Sequence, residues 1–236
     1  MSGIEKAVVL LSGGIDSSTL LHYVRRRPDA AEVHALSFRY GQRHARELDM
    51  ARWQAAAAGV REHAEIDVSF LAGIVRDASS LVAEGAPVPD MKDLAENERE
   101  QPRTYVPNRN MVLLAVAAAY AEARGIRDIF YGAQRQDGFG YWDCSARFVD
   151  RLNRTLRLNR RTPVTVHAPF VAMSKGAVVK IGLAMGMDYG HTWTCYRGGR
   201  TPCGTCPSCV ERSRAFAEAG ADDPGVPAGR KKGRIA

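Results

Sequence analysis

Two stretches of this 236-residue chain concentrate residue types that do chemistry. The first is Leu11-Ser12-Gly13-Gly14-Ile15-Asp16-Ser17-Ser18. Its glycines let backbone N–H groups approach an anion closely, because no Cβ stands in the way. Its serines add hydroxyl donors. A helix starting here would add unpaired N–H groups and a partial positive charge. Asp16 would repel a phosphate unless a divalent cation lay between them, so its expected use is Mg²⁺ or the geometry of the turn. The stretch lacks the Gly-Lys-Ser/Thr ending of a Walker loop, which argues against ordinary NTPase chemistry.

The second stretch holds four of the five cysteines, Cys195, Cys203, Cys206 and Cys209, spaced C-x7-C-x2-C-x2-C. Four thiolates at that spacing fit a closed tetrahedral Zn²⁺ site, which holds shape rather than catalysing. An iron–sulfur cluster is the rival reading, since C-x2-C-x2-C also occurs in ferredoxin-type runs. Cys144 has no cysteine neighbour and reads as a buried or pocket-lining thiol.

The elements that must position these residues alternate. Lys6–Leu11 is a short apolar run closed by a turn and reads as a buried strand, followed by a helix from Ile15 to Arg27 that stops before Pro28. Strands are expected at Glu32–Phe38, Glu62–Val68, Arg127–Ala133 and Val164–Phe170. Helices are expected at Gln42–Ala58, Arg109–Arg124, Ser145–Leu158 and Ser174–Met185, with a last one after the cysteines to Ala219. Strands alternating with helices predict βαβ units, a mainly parallel sheet and helices on both faces. Leu81–Arg103, with Gly85, Pro87, Pro89 and Pro102, breaks the rhythm and reads as a functional lid or a disordered segment. The turn at Ser12–Ser18 then falls at the C-terminal edge of the strands, where such folds bind ligands.

Composition narrows the class. Apolar residues make up 45%, which supports a core and excludes disordered or collagen-like chains. No apolar run approaches the roughly 20 residues of a membrane span, and no signal peptide is readable, so a soluble cytoplasmic protein is expected. The net charge of +7 is concentrated, because residues 224–236 carry four cations and no acid and read as a frayed basic tail. Arg147, Arg151, Arg154, Arg157 and Arg161 recur at helical spacing, a basic face that is solvated by default and otherwise suits an acidic partner or nucleic acid.

The Ser12–Ser17 motif resembles the PP-loop of the ATP-pyrophosphatases, whose fold is the Rossmann-like sandwich of the adenine-nucleotide α-hydrolase type. Together with the cysteine block, the chain resembles the QueC family from Ala7 to about Asp223. Further matches are Tyr40-Gly41-Gln42-Arg43-His44, Tyr105-Val106-Pro107-Asn108-Arg109-Asn110, the HAPFVAMSK run ending at Lys175, and the CGTCPSC block with its following Glu211-Arg212. The resemblance implies three parts: an ATP-pyrophosphatase domain over 1–190, a zinc-binding segment with its helix over 191–223, and the tail at 224–236.

It also implies a chemistry. ATP adenylates 7-carboxy-7-deazaguanine, ammonia gives the amide, and a second ATP activates the amide oxygen so that loss of AMP leaves the nitrile. The ATP residues implied are Leu11 to Ser18 with Tyr40, Gln42 and Arg43. The catalytic ones are Asp16, Arg109 and Lys175, the last two as cations on phosphates or the adenylate. Arg109, Phe139, Tyr141, Trp142 and Asp143 are implied at the deazapurine, with Mg²⁺ and structural Zn²⁺ as metals and a homodimer as the assembly.

The pattern departs in places. Family members carry DYSGYPDCRPEF where this chain has Asp137-Gly138-Phe139-Gly140-Tyr141-Trp142-Asp143-Cys144-Ser145-Ala146-Arg147-Phe148. Asn108 replaces a glycine, and asparagine tolerates positive φ better than most residues. These changes leave the acceptor open, so a ligase coupling the activated base to an amine such as a protein N-terminus, in an anti-phage system, is the second reading.

Overall fold

The computed structural model describes residues 4–42, 46–76, 78–82, 87–94 and 102–225, apart from the side chains of Gly138 and Phe139. Arg43, His44 and most of the tail lie outside the described residues.

Five strands form one fully parallel sheet: β1 (Lys6–Leu10), β2 (Glu32–Arg39), β3 (Glu62–Asp67), β4 (Asp128–Phe130) and β5 (Thr165–His167), in the order β3-β2-β1-β4-β5. The helices are α1 (Ile15–Arg25), α2 (Arg46–Ala58), α3 (Phe70–Val75), α4 (Arg109–Ala123), α5 (Asp137–Gly140), α6 (Ala146–Leu156), α7 (Lys175–Ala184) and α8 (Pro207–Ala219). No helix of the described residues is long and apolar enough to cross a membrane.

The period of two along β1 and β2 sorts the core into two layers. Val8, Leu10, Leu36 and Phe38 face Leu114, Ala117 and Ala121 of α4 and Phe148 and Val149 of α6. Ala7, Val9, Val33 and Ala35 face Leu20, Leu21 and Val24 of α1, Ala51 and Ala55 of α2, and Val178 of α7. Both strands are buried on both faces, which is why they read as continuous apolar runs. Helix α8 then packs on α7 and α1 through Ala215, Phe216, Val179 and Ile15.

Boundaries shift in physically explicable ways. Gln42 is not helical, because its backbone bridges Val82 and its side-chain amide stitches the turn after β2, accepting from Tyr40 N (2.9 Å) and donating to Phe38 O (3.1 Å). β4 stops at Phe130, three residues short of the expectation, and Tyr131 to Ala133 run on as wall of a cavity. β5 is an edge strand of three residues, and the Asn153 side chain pairs its Val166 from outside with bonds of 2.7 and 2.8 Å. Asn108 adopts φ 55° at the start of α4, the one non-glycine residue at positive φ among those described, so the turn does survive loss of its glycine.

Candidate active site

Strand order reverses between β1 and β4, and the Ser12–Ser17 turn lies at that switch point, at the C-terminal ends of the strands. Gly14 caps α1 without any side-chain hydrogen bond, so the first N–H groups of the helix are left for a ligand. The turn is held by its own hydroxyls: Ser12 N donates to Ser17 Oγ (3.1 Å), and the two hydroxyls are 2.9 Å apart. Gly13 has φ +82°, and a Cβ there would sit 2.2 Å from Glu47 O on α2. That glycine is needed for conformation and space together. On the other side Gly132, just past β4, would bring a Cβ within 3.3 Å of the Ser17 backbone.

A cavity of ≈ 230 Å³ opens from this turn. Its walls include Leu11, Ser12, Gly14, Ile15, Asp16 and Ser17 at one end, with Lys175 and Asp137 beside them. Tyr40, Gln42, Arg109, Asn110, Tyr131, Tyr141 and Cys144 line the rest. Gly13 and Ser18 support the turn from behind, and the Ser18 hydroxyl is buried without a partner among the described residues.

The charged groups of the site come from different helices. Lys175 Nζ, 12% exposed, lies 3.5 Å from Asp16 Oδ2 and 3.3 Å from Glu211 Oε2. Burial alone would lower the Lys175 pKa, but Asp16, Glu211 and Asp137 outweigh it and hold the ammonium charged. Asp16 is shifted up by burial, with Lys175 opposing, and its Oδ1 is buried with no hydrogen-bond partner among the described residues. Asp137 is pushed up to about 6, first by burial, against the pull of Lys175. Its Oδ1 accepts from Gln134 Nε2 at 2.8 Å. Lys175 opens α7 after the Ser174 cap, and its backbone N–H donates to Gln136 Oε1 at 3.1 Å, which fastens α7 to α5.

At the far end, the Arg109 guanidinium lies 5.6 Å from the centre of the Tyr40 ring and donates to Asn110 Oδ1 (3.3 Å). No described carboxylate forms an ion pair with it, which leaves its charge for a ligand. Tyr141 is held by Thr104 at 2.7 Å. The Asp143 carboxyl sits in the layer behind the cavity wall, where Oδ2 accepts from Asn110 N (3.2 Å) and Oδ1 is buried without a partner among the described residues. Trp142 is 47% exposed, donates to the Tyr105 hydroxyl (2.7 Å) and packs edge-on against Phe148 outside the cavity. The Phe139 side chain falls outside the described residues. Burial pushes the Cys144 thiol up to about 12, so it stays protonated and is a poor nucleophile.

The four clustered cysteines converge, with all Sγ atoms within 4.8 Å of one another and Cys203 and Cys209 at 3.9 Å. A tetrahedron with metal–sulfur bonds of about 2.3 Å has edges of about 3.8 Å, so the donor set and its spacing suit a thiolate-bound metal. Backbone N–H groups support the sulfurs, Cys203 N on Cys195 (3.4 Å) and Cys206 N on Cys203 (3.3 Å). This centre is tied to the cavity. Trp193 N donates to Gly13 O (2.9 Å), and α8, capped by Cys206, delivers Glu211 to Lys175.

Sequence reasoning named Asp16, Arg109, Lys175 and Tyr141, and these share the cavity. It assigned no role to Asp137, Gln134, Asn110, Tyr131, Trp193 or Tyr196. Glu211 carried one signal, its position two residues after a cysteine of the cluster.

The parallel order, the open helix terminus at the switch point and the four-cysteine segment define an α/β nucleotide-binding protein of the PP-loop type. The solved NMN synthetase of Francisella tularensis shares this fold at TM-score 0.50 and 12% identity, over 93% of this chain and 79% of that one. The model of the family described as Queuosine biosynthesis protein QueC matches residues 6–220, and the chain belongs to that family. Among curated relatives, the 7-cyano-7-deazaguanine synthases of Marinobacter nauticus and Archaeoglobus fulgidus are each 44% identical over 220 residues. Those alignments cover 93% of this chain and 96% and 89% of the two relatives.

Proposed function

We propose that the chain uses ATP to adenylate 7-carboxy-7-deazaguanine and, with ammonia, converts it to 7-cyano-7-deazaguanine, releasing AMP and pyrophosphate. The names of the relatives supply the substrate class. The observation that carries the chemistry is one cavity bounded by the uncapped start of α1, by Lys175 and by Arg109. A carboxylate resists nucleophiles, since its charge repels them and oxide does not leave. Adenylation supplies AMP as leaving group, and the reaction then needs preorganised positive charge where phosphate charge develops.

In this reading the phosphates lie on Ser12, Gly14 and Ser17 and the N–H groups of α1, with Lys175 and Asp16 beside them. Mg²⁺ on the phosphates would offset their charge. Arg109 and Tyr141 face the deazapurine end, and the buried Asp143–Asn110 pair sets the wall behind it. Zn²⁺ is the metal proposed for Cys195, Cys203, Cys206 and Cys209. It would hold the segment that carries Trp193 and Glu211 against the cavity. The assembly proposed is a homodimer. The Arg147–Arg161 surface is proposed for an acidic partner. Helix α6 stops at Leu156, short of the expected Leu158, so only Arg147, Arg151 and Arg154 share its helical face while Arg157 and Arg161 follow it. All five are exposed, and among described residues only Arg154 pairs with a carboxylate, Asp150 at 3.0 Å.

The test is product analysis. Purified metal-replete protein with ATP, Mg²⁺, 7-carboxy-7-deazaguanine and ammonium is expected to yield the nitrile by mass spectrometry, with AMP and pyrophosphate. Pyrophosphate release without nitrile, and with the base attached to an added peptide amine, would replace this reading by the coupling ligase.

A further inference from the structure

The reaction proposed above must dispose of protons. When ammonia displaces AMP, the C–N bond forms, the C–O bond breaks with its electron pair leaving on AMP, and nitrogen sheds a proton. When the amide oxygen attacks the α-phosphorus of the second ATP, pyrophosphate leaves and nitrogen sheds another proton as the imidate forms. A last proton leaves nitrogen as the C–O bond breaks and C≡N is made. A group near the acyl carbon has to receive these protons one at a time.

We propose that Asp137 is this proton acceptor and that Gln134 is the positioning residue that aims it. The inference rests on the reading given under Proposed function and adds a residue to it. Three described carboxylates line the cavity: Asp16, Glu47 and Asp137. Asp16 is committed to Lys175 at the phosphate end. Glu47, in the first turn of α2, stands beside the Gly13 turn and so at the phosphate end with Asp16. Asp137 stands at the start of α5, between Lys175 and the Tyr141–Cys144 wall, which is where a carbon joined to both the phosphate and the base would lie.

Its hydrogen bonds are those of a base held ready. Among described residues its carboxylate accepts from one residue, Gln134, through Nε2 (2.8 Å) and backbone N (3.4 Å). These donors are neutral, so they orient the carboxylate while lowering its basicity less than a directly bound cation would. Gln134 is fully buried, and its own Oε1 is fixed by Gln136 N at 2.8 Å, which defines which end of the amide points at Asp137. The charged groups facing Asp137 are Lys175 on α7, Asp16 on α1 and Glu211 on α8. With burial they bring its titration to about 6, so it is ionised and still basic enough to take a proton at neutral pH.

The test separates two partial reactions. Pyrophosphate release in a single turnover with ATP and 7-carboxy-7-deazaguanine, without ammonium, reads adenylation. Nitrile by mass spectrometry after adding ammonium reads the steps that shed protons. Asp137→Asn is expected to lower the second by roughly 10²–10⁴, the usual worth of general acid–base catalysis, and to lower the first by much less, because adenylation of a carboxylate sheds no proton. In the wild type, with free ammonia held constant across the pH series, nitrile formation should fall below about pH 6 while pyrophosphate release does not follow it. Gln134→Leu should lower kcat for nitrile with little change in KM. Nitrile formation by Asp137→Asn within threefold of wild type overturns the assignment. So does a wild-type acid limb shared equally by both partial reactions, a reading that needs no variant to fold. Wild-type protein that releases no pyrophosphate sinks the parent reading instead.

Discussion

The cysteine centre and the Asp16–Lys175–Glu211–Asp137 cluster lie at the two ends of one short connection, and they are built on opposite plans. The cysteines fall within fifteen residues of chain, and a loop closed by Gly198 and Gly204 at positive φ folds them onto one point. The charged cluster is gathered from α1, α5, α7 and α8. A bound metal gives the first its own free energy, on the order of 10 kcal/mol for structural zinc. The second has no such source, because buried charges cost free energy unless each is paired. It exists because the fold, including the segment the cysteines hold, imposes it. In the proposed reading the cysteine centre therefore underwrites the charged cluster.

That dependence can be broken from the metal side. Cys206→Ala removes a proposed metal ligand at the start of α8 and is expected to empty the site by metal analysis. It should lower Tm by more than 10 °C and cut pyrophosphate release more than 10³-fold, since Trp193 and Glu211 lose their support. Normal turnover in metal-free protein would mean that the two regions are independent.

Breaking it from the charge side should be milder for the fold and specific in pH. Lys175→Met leaves Asp16, Glu211 and Asp137 facing one another with no cation. Adenylation should fall about 10²–10³-fold. The missing positive charge raises carboxylate pKa values, so the acid limb of residual nitrile formation should move upward from about 6. A limb that stays in place would remove Lys175 from the electrostatics of Asp137.

Gly13→Ala sharpens the comparison at the turn itself. Left-handed backbone costs a substituted residue roughly 1–2 kcal/mol, and the 2.2 Å approach to Glu47 O adds a clash with backbone that cannot swing away. We expect a lower Tm and ATP binding weakened at least tenfold by titration calorimetry, with the metal content unchanged.

Much of this was legible in the chain. The β1 and β2 runs announce strands buried on both faces, and the glycines at 13 and 14 announce an anion turn. The cysteine spacing announces a metal. What was not legible has particular causes. Gln42 looks like the first residue of a helix, but a backbone bridge to Val82 and its own amide bonds draw it into the turn. The run from Tyr131 to Ala133 looks like strand and is cavity wall, because no fifth-strand partner extends beyond His167. Trp142, by type a stacking residue, spends its N–H on Tyr105 and its ring on Phe148. Asp137 sits in a matched segment but shows its importance only through Gln134 and three distant charges.

By itself the sequence determined the local physics: which segments alternate, where an anion finds free N–H groups, and which sulfurs can meet. Those properties depend on neighbours within a few residues, so periodicity and spacing record them. The tertiary structure alone decided that Lys175 lies between Asp16 and Glu211, that Asp137 is buried beside them, and that Asp143 stands behind the wall. These are contacts across 33 to 159 positions of chain, set by strand order and helix packing. A carboxylate's basicity depends on the charges and solvent around it, and neither is written in its own stretch of sequence.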